Sequence, residues 1–337
     1  MGEPVRVGLI GAGIMGADHA RILAADIPGA VLSAVCDRDA ERAAAVASQH
    51  GADALVDPAE LIARDDVGAV LIASPDPTHG PLTLDCIAAG KPVLCEKPLS
   101  PDPAECRAVV EAEIAGGRRL VHIGFMRRFD PSYAAMKRTL EEGTIGRALM
   151  LHCIHRNAEA PHGFTGAMAI TNSAPHEFDV ARFLLGTEPV AITAWQPRRE
   201  GMVAPVVMVI ETDASQLVTI EINNEAAYGY DVRGELVGET GTVSLRAPVE
   251  IETNLALANA TPYPVDWRPR FAEAYRLQAR TWVGAVRADE PSPTAASAWD
   301  GLVATLVAEA GACALAEERR SIIEIPARPA FYRDREG

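Results

Sequence analysis

The sequence predicts a two-domain α/β protein. An N-terminal domain on a doubly wound parallel sheet is followed by an α+β domain with a large, open-faced, mostly antiparallel sheet. Three observations predict this. Short apolar runs alternate with helical patterns through residues 1–123. A glycine-spaced turn, Gly11-Ala12-Gly13-Ile14-Met15-Gly16, follows the first of those runs. From residue 124 to 337 the texture changes to longer runs, several of them alternating with period two.

In chain order, buried strands are expected at 5–10, 31–36, 69–73, 93–95 and 120–123. Helices are expected between them at 19–25, 40–50, 80–89 and 103–115. Such alternation means right-handed crossovers, a parallel sheet and ligand binding at the carboxyl ends of the strands. Beyond residue 125, strands are expected at 148–155, 190–196, 206–212, 216–223, 228–237 and 241–245. Helices are expected there at 132–142, 175–185, 272–288 and 298–318. An antiparallel sheet with one buried face leaves the other to be covered, and a second copy of the chain is the expected cover.

Composition bounds the function classes. With 337 residues and 48% apolar content, the chain can build two cores. A net charge of −15 and a pI near 5.0 oppose nucleic acid or an anionic membrane surface as partner. No run approaches the roughly 18 uncharged apolar residues of a membrane span. The N-terminus leads directly into a strand, so no signal peptide is expected and the expected compartment is the cytoplasm. The six cysteines are scattered, without a Cys-x-x-Cys pair, which fits thiols in a reducing compartment. The eight histidines do not show ligand spacing, so no metal is expected.

The glycine turn lies between a strand and a helix, as a dinucleotide fingerprint must. Gly11 permits the tight turn, Gly13 lets a pyrophosphate approach the backbone, and Gly16 lets helix and strand pack closely. Ile14 and Met15 complete the turn. Asp37 ends the second strand 21 residues after Gly16, where a carboxylate bonds the adenosine ribose diol and repels a 2′-phosphate. NAD is therefore the expected cofactor. The adjacent Arg38 could accept a phosphate and keeps NADP open. Ser74 and Pro75 begin a proline-stiffened loop at the sheet's carboxyl edge, which ends at His79; this histidine either touches the cofactor or caps the following helix. Glu96-Lys97-Pro98 ends another apolar run and can aim an ammonium at the nicotinamide.

The fingerprint, the Glu96-Lys97-Pro98 turn, Gly124-Phe125-Met126-Arg127-Arg128-Phe129-Asp130, His155-Arg156-Asn157 and His176-Glu177-Phe178-Asp179 together resemble the Gfo/Idh/MocA oxidoreductases. The resemblance extends over nearly the whole chain. It implies a Rossmann domain, an open-faced sheet domain, commonly a tetramer, and oxidation of one secondary hydroxyl on a polyol or sugar. A cyclic polyol, myo-inositol first, is the expected substrate. Another inositol isomer, a pyranose or a glycoside is the alternative, and a non-catalytic cofactor-binding sensor is an alternative of another class.

Hydride transfer from carbon needs a base for the hydroxyl proton and a donor for the developing alkoxide. His176 falls on the family's catalytic position, with an ordinary pKa near neutrality. By its apolar neighbours alone it would read as a core histidine. Lys97 is the expected donor. The family's inositol-oxidising members carry an aspartate four residues before the histidine; this chain has Asn172, which can orient an imidazole but cannot oppose its charge. By family position, Met126, Arg127, His155, Asn157, Asp179 and Tyr230 are expected to line the substrate site, with Trp267 as a further apolar wall. The loop 158–169, which carries His162, is expected to influence substrate choice.

Overall fold

The computed structural model describes residues 3–197, 203–246 and 252–333. Contacts divide the chain into two compact units. The first comprises 1–129, 273–305 and 326–337; the second comprises 130–272 and 306–325. A single cut after residue 123 therefore differs from the contact boundary, because later segments return to pack with the first unit. One such return is explicit: the buried Tyr332 hydroxyl donates to Glu113 Oε2 at 2.7 Å, while Glu113 Oε1 accepts the Leu120 and Val121 N–H groups.

In the first unit the elements are β1 (Val5–Ile10), α1 (Ile14–Asp26), β2 (Ala30–Cys36), α2 (Ala40–His50), β3 (Asp53–Leu55), α3 (Pro58–Ala63), β4 (Ala69–Ile72), α4 (His79–Ala88), β5 (Val93–Cys95), α5 (Pro103–Gly116) and β6 (Val121–Ile123). The expected strands are present. β3 and α3 are additional, too short to leave a periodic signal. The sheet order is β6-β5-β4-β1-β2-β3, all parallel, with Ala296–Ser297 added antiparallel at the β6 edge. Strand order reverses between β1 and β4, so the loops after these strands diverge and open a crevice at their carboxyl ends. Apolar runs such as Val70-Leu71-Ile72 are buried because helices cover both faces of the sheet.

The second unit contains α6 (Pro131–Glu141), β7 (Ala148–Arg156), α7 (Gly166–Met168), α8 (Pro175–Leu185), β8 (Pro189–Trp195), β9 (Val206–Thr212), β10 (Leu217–Asn223), β11 (Asp231–Gly238) and β12 (Thr242–Ser244). Its sheet runs β12-β11-β7-β10-β9-β8, with Ser321–Ile322 at the far edge. All pairings are antiparallel except β7 with β10. One face is buried through Leu151, Met208, Ile220 and Leu236, while Trp195, Val207 and Leu217 stand exposed on the other. The period-two alternation read from the sequence is this division.

A long helix, α9 (Trp267–Ala288), bends at the non-helical Phe271, and α10 (Ala298–Glu317) follows. By length and composition α10 would be long and apolar enough to cross a membrane, but 72% of its apolar window is buried inside the structure. It is a core helix, which accounts for an apolar stretch interrupted by three acidic residues.

Candidate active site

The fingerprint glycines have separate reasons to be glycine. Gly11 has φ +96°, and a Cβ there would lie 2.5 Å from the Ala73 carbonyl and the Ser74 nitrogen. At Gly16 a Cβ would lie 1.8 Å from the Gly11 oxygen. The protein itself forbids side chains at these two positions. Gly13 differs, since a Cβ would meet nothing within 4 Å. The space over Gly13 is open at the start of α1, whose first turn has no side-chain cap and no acidic residue. Free N–H groups and the helix dipole there suit a phosphate. Ile14 is exposed and Met15 half-buried beside it.

Asp37 follows β2, and its Oδ2 accepts the Ala12 N–H at 2.8 Å while Oδ1 accepts the Asp39 N–H at 3.0 Å. The carboxylate is thus fixed against the fingerprint's own backbone with acceptor capacity to spare for a diol. Arg38 is exposed. These residues fit a dinucleotide with an unmodified ribose.

Ser74 and Pro75 follow β4, and the Ser74 and Thr78 hydroxyls lie 2.6 Å apart. His79 is only 1% exposed. Its Nδ1 reaches the Pro98 carbonyl at 2.7 Å and its Nε2 the Ser74 carbonyl at 2.8 Å. Both partners are acceptors, an arrangement that favours the doubly protonated ring. Burial works against that charge, but Cys95 and the two carbonyls outweigh it and the pKa is pushed up to about 10. His79 makes no cap to its own helix; it ties the 74–78 loop to the Lys97–Pro98 turn.

That turn follows β5 and holds a cis Lys97–Pro98 peptide. The buried Glu96 carboxylate accepts from His19 Nε2 at 2.7 Å and from the Lys97 N–H at 3.2 Å. Burial disfavours its ionised form, but His19 and Lys97 overcome this and hold the carboxyl below its ordinary pKa. Gly124 makes room, because a Cβ there would lie 2.7 Å from Glu96 Oε2. His19 was not among the residues singled out from sequence. Its one signal was its place on the fingerprint helix, three residues after Gly16. Met126 and Arg127 are buried in the short turn Met126–Phe129 of this same unit.

In the second unit, α7 passes into a π-helical turn, Ala169–Ser173, marked by the Ala174 N–H bonding the Ala169 carbonyl at 3.0 Å. The wider turn carries Asn172, and such turns recur at functional sites. Pro175 then starts α8, where its missing N–H costs nothing. His176, Glu177 and Asp179 lie within one turn of α8 and are 8%, 0% and 1% exposed. Buried ionisable groups at this density are the strongest functional sign in the unit.

His155, on the inward face of β7, brings Nδ1 to 3.2 Å and 3.3 Å from the two Glu177 oxygens. Its ring meets Tyr230 edge-on at 5.9 Å, and Tyr230 meets Phe271 at 6.4 Å. The structure therefore joins His155 and Tyr230 and adds Glu177 to them. Asn157, just past β7, is held through its backbone by Asn223 and Ala226. Among the described residues no cluster of histidine, cysteine and carboxylate could hold a metal.

Residues 5–125 match the family model described as an oxidoreductase family with an NAD-binding Rossmann fold, and residues 133–244 match the GFO/IDH/MocA C-terminal domain. The chain is 48% identical to inositol 2-dehydrogenase 1 of Saccharopolyspora erythraea, over 97% of this chain and 99% of that protein. It is 46% identical to inositol 2-dehydrogenase 2 of Paenarthrobacter aurescens, over 91% and 95% respectively. The crystal structure of myo-inositol dehydrogenase from Lactobacillus casei, in complex with NAD(H) and myo-inositol, superposes with a TM-score of 0.93 at 29% identity, covering 98% of this chain and all of that one. By the match of both domains and of nearly its full length, the chain belongs to the Gfo/Idh/MocA oxidoreductase family.

Proposed function

We propose that the chain is an NAD-dependent dehydrogenase oxidising the C2 hydroxyl of myo-inositol to the ketone. The observation that carries this reading is the 48% identity to an inositol 2-dehydrogenase over 97% of the chain. The N-terminal part is the NAD-binding domain and the remainder the substrate domain.

Gly11, Gly13 and Gly16 with the start of α1 hold the pyrophosphate, and Asp37 holds the adenosine ribose and favours NAD over NADP. Arg38, Ser74, Pro75 and the Glu96–Lys97 turn flank the cofactor. NAD, when bound, accepts the hydride. Lys97 donates to the reacting oxygen and lowers the cost of its negative charge. His176 takes the hydroxyl proton, and Asn172 orients its ring. Met126, Arg127, His155, Asn157, Asp179 and Tyr230 supply the walls and polar groups that a polyol requires, since each buried hydroxyl left unpaired costs about 1–3 kcal/mol. Homo-oligomerisation, with a tetramer as the family's common form, is supported by the exposed face of Trp195, Val207 and Leu217. A cytoplasmic location is supported by the buried thiols of Cys36, Cys86, Cys95, Cys106 and Cys153, with Cys313 exposed.

Lys97→Ala tests the chemistry. It is expected to lower turnover at least about a hundredfold while NAD still binds. Unchanged turnover would remove Lys97 from the mechanism.

A further inference from the structure

We propose that His19, acting through Glu96, is a positioning residue that sets the Lys97 turn against the fingerprint helix for hydride transfer; this rests on the function proposed above. β1 and β5 are not neighbours in the sheet, because β4 lies between them. Their carboxyl-end loops carry the two halves of the cofactor site, the glycine turn and the Glu96-Lys97-Pro98 turn. The His19–Glu96 bond spans that separation directly.

His19 is 1% exposed, on the helix that begins at Gly13, and its ring packs edge-on against Tyr275 at 5.7 Å. Its Nε2 donates to Glu96 Oε1 at 2.7 Å, while Glu96 Oε2 accepts the peptide N–H of Lys97 itself. Gly124 closes the other side of the carboxylate, with no room for a methyl group. The chain of contacts therefore runs from the phosphate-binding helix, through one imidazole and one carboxylate, to the backbone of the proposed catalytic lysine. A surface carboxylate would add little stability. A buried one bonded on both oxygens, beside a histidine with no second partner for Nδ1 among the described residues, fixes geometry instead.

The test compares His19→Leu, which removes the donor, with His19→Gln, whose amide can present an N–H where Nε2 stood. Steady-state rates are measured with NAD and both unlabelled and C2-deuterated myo-inositol, alongside NAD affinity by fluorescence and thermal midpoints. His19→Leu is expected to lower kcat by about ten- to a hundredfold, as misplacement of a reacting group does, with NAD affinity within about threefold of the wild type. Hydride transfer should become more rate-limiting, raising the deuterium isotope effect on kcat. His19→Gln should recover most of the loss. An unchanged isotope effect, loss of NAD affinity with kcat intact, or a glutamine variant no better than leucine would overturn the proposal. Absence of turnover in the wild type would be visible before any variant is compared, and would overturn the function beneath it and the positioning role with it.

Discussion

Replacing His79 with phenylalanine removes a buried imidazolium while keeping most of its volume. In the folded protein both ring nitrogens donate to carbonyls, and the pKa stands at about 10 against an ordinary 6.5. A pKa raised by folding means that the folded state holds a proton the unfolded chain has released. The resulting stabilisation is complete below pH 6.5, declines by about 1.4 kcal/mol per pH unit above it, and is gone once pH passes about 10. Between pH 7 and 9 the wild type should therefore lose on the order of 3 kcal/mol that His79→Phe does not lose. The buried thiols of Cys36, Cys86 and Cys106, pushed up to about 11, 12 and 12, also weaken the fold above pH 9 as the unfolded chain ionises. Wild type and variant share that loss, so the difference between them isolates His79 together with its interaction with Cys95. Urea unfolding followed by tryptophan fluorescence at several pH values from 6 to 10 measures it. A stability gap that narrows steadily as pH rises is expected. A gap constant across this range would mean that the ring is neutral and that one of the two contacts with Ser74 and Pro98 is not a hydrogen bond.

Gly13→Ala should fold with its thermal midpoint unchanged, because nothing in the protein lies within 4 Å of the new methyl group, yet weaken NAD at least about tenfold; undiminished binding in a titration would mean that the pyrophosphate does not cross residue 13. Asn172→Asp should move the acid limb of the kcat/KM profile to higher pH by about one unit, because a neighbouring carboxylate favours the imidazolium; an unmoved limb would separate Asn172 from the base. Asp130 and Arg270 form a 2.6 Å ion pair with side chains only 4% and 7% exposed, so Arg270→Met should cost about 3 kcal/mol in urea unfolding by leaving the buried carboxylate with only its capping bonds from Ser132 and Tyr133. A loss within 1 kcal/mol, roughly that of an exposed pair, would show that water reaches Asp130.

The N-terminal fold was legible because a strand buried on both faces leaves a continuous apolar run, as in Val70-Leu71-Ile72, and the fingerprint glycines are dictated by the chain's own backbone. β3, the Ala296–Ser297 edge strand and the π-turn at Ala169–Ser173 were not legible, because two to five residues fixed by tertiary contacts carry no period. The same physics divides the site. Asp37 and the Glu96-Lys97-Pro98 turn could be singled out from place in the chain alone, each at the carboxyl end of a strand. His19, Glu177 and the stapling role of His79 could not, since each depends on a partner distant in sequence: 77 residues away for His19, 22 for Glu177 and 19 for the longer of the two His79 contacts. The contact boundary at 129 differs from the sequence boundary at 123 for a related reason. Segments returning from 273–305 and 326–337 complete the first unit, and no local signal announces a return.

The most direct test is the initial rate of NADH formation at pH 8 with myo-inositol, set beside scyllo-inositol, glucose and simple glycosides, with NAD and NADP in parallel. Fast turnover of myo-inositol with NAD, and a much slower rate with NADP, is the expected result. Efficient turnover of a glycoside without any of myo-inositol would contradict it, and would move attention to Asn172 and the 158–169 loop as marks of a different substrate.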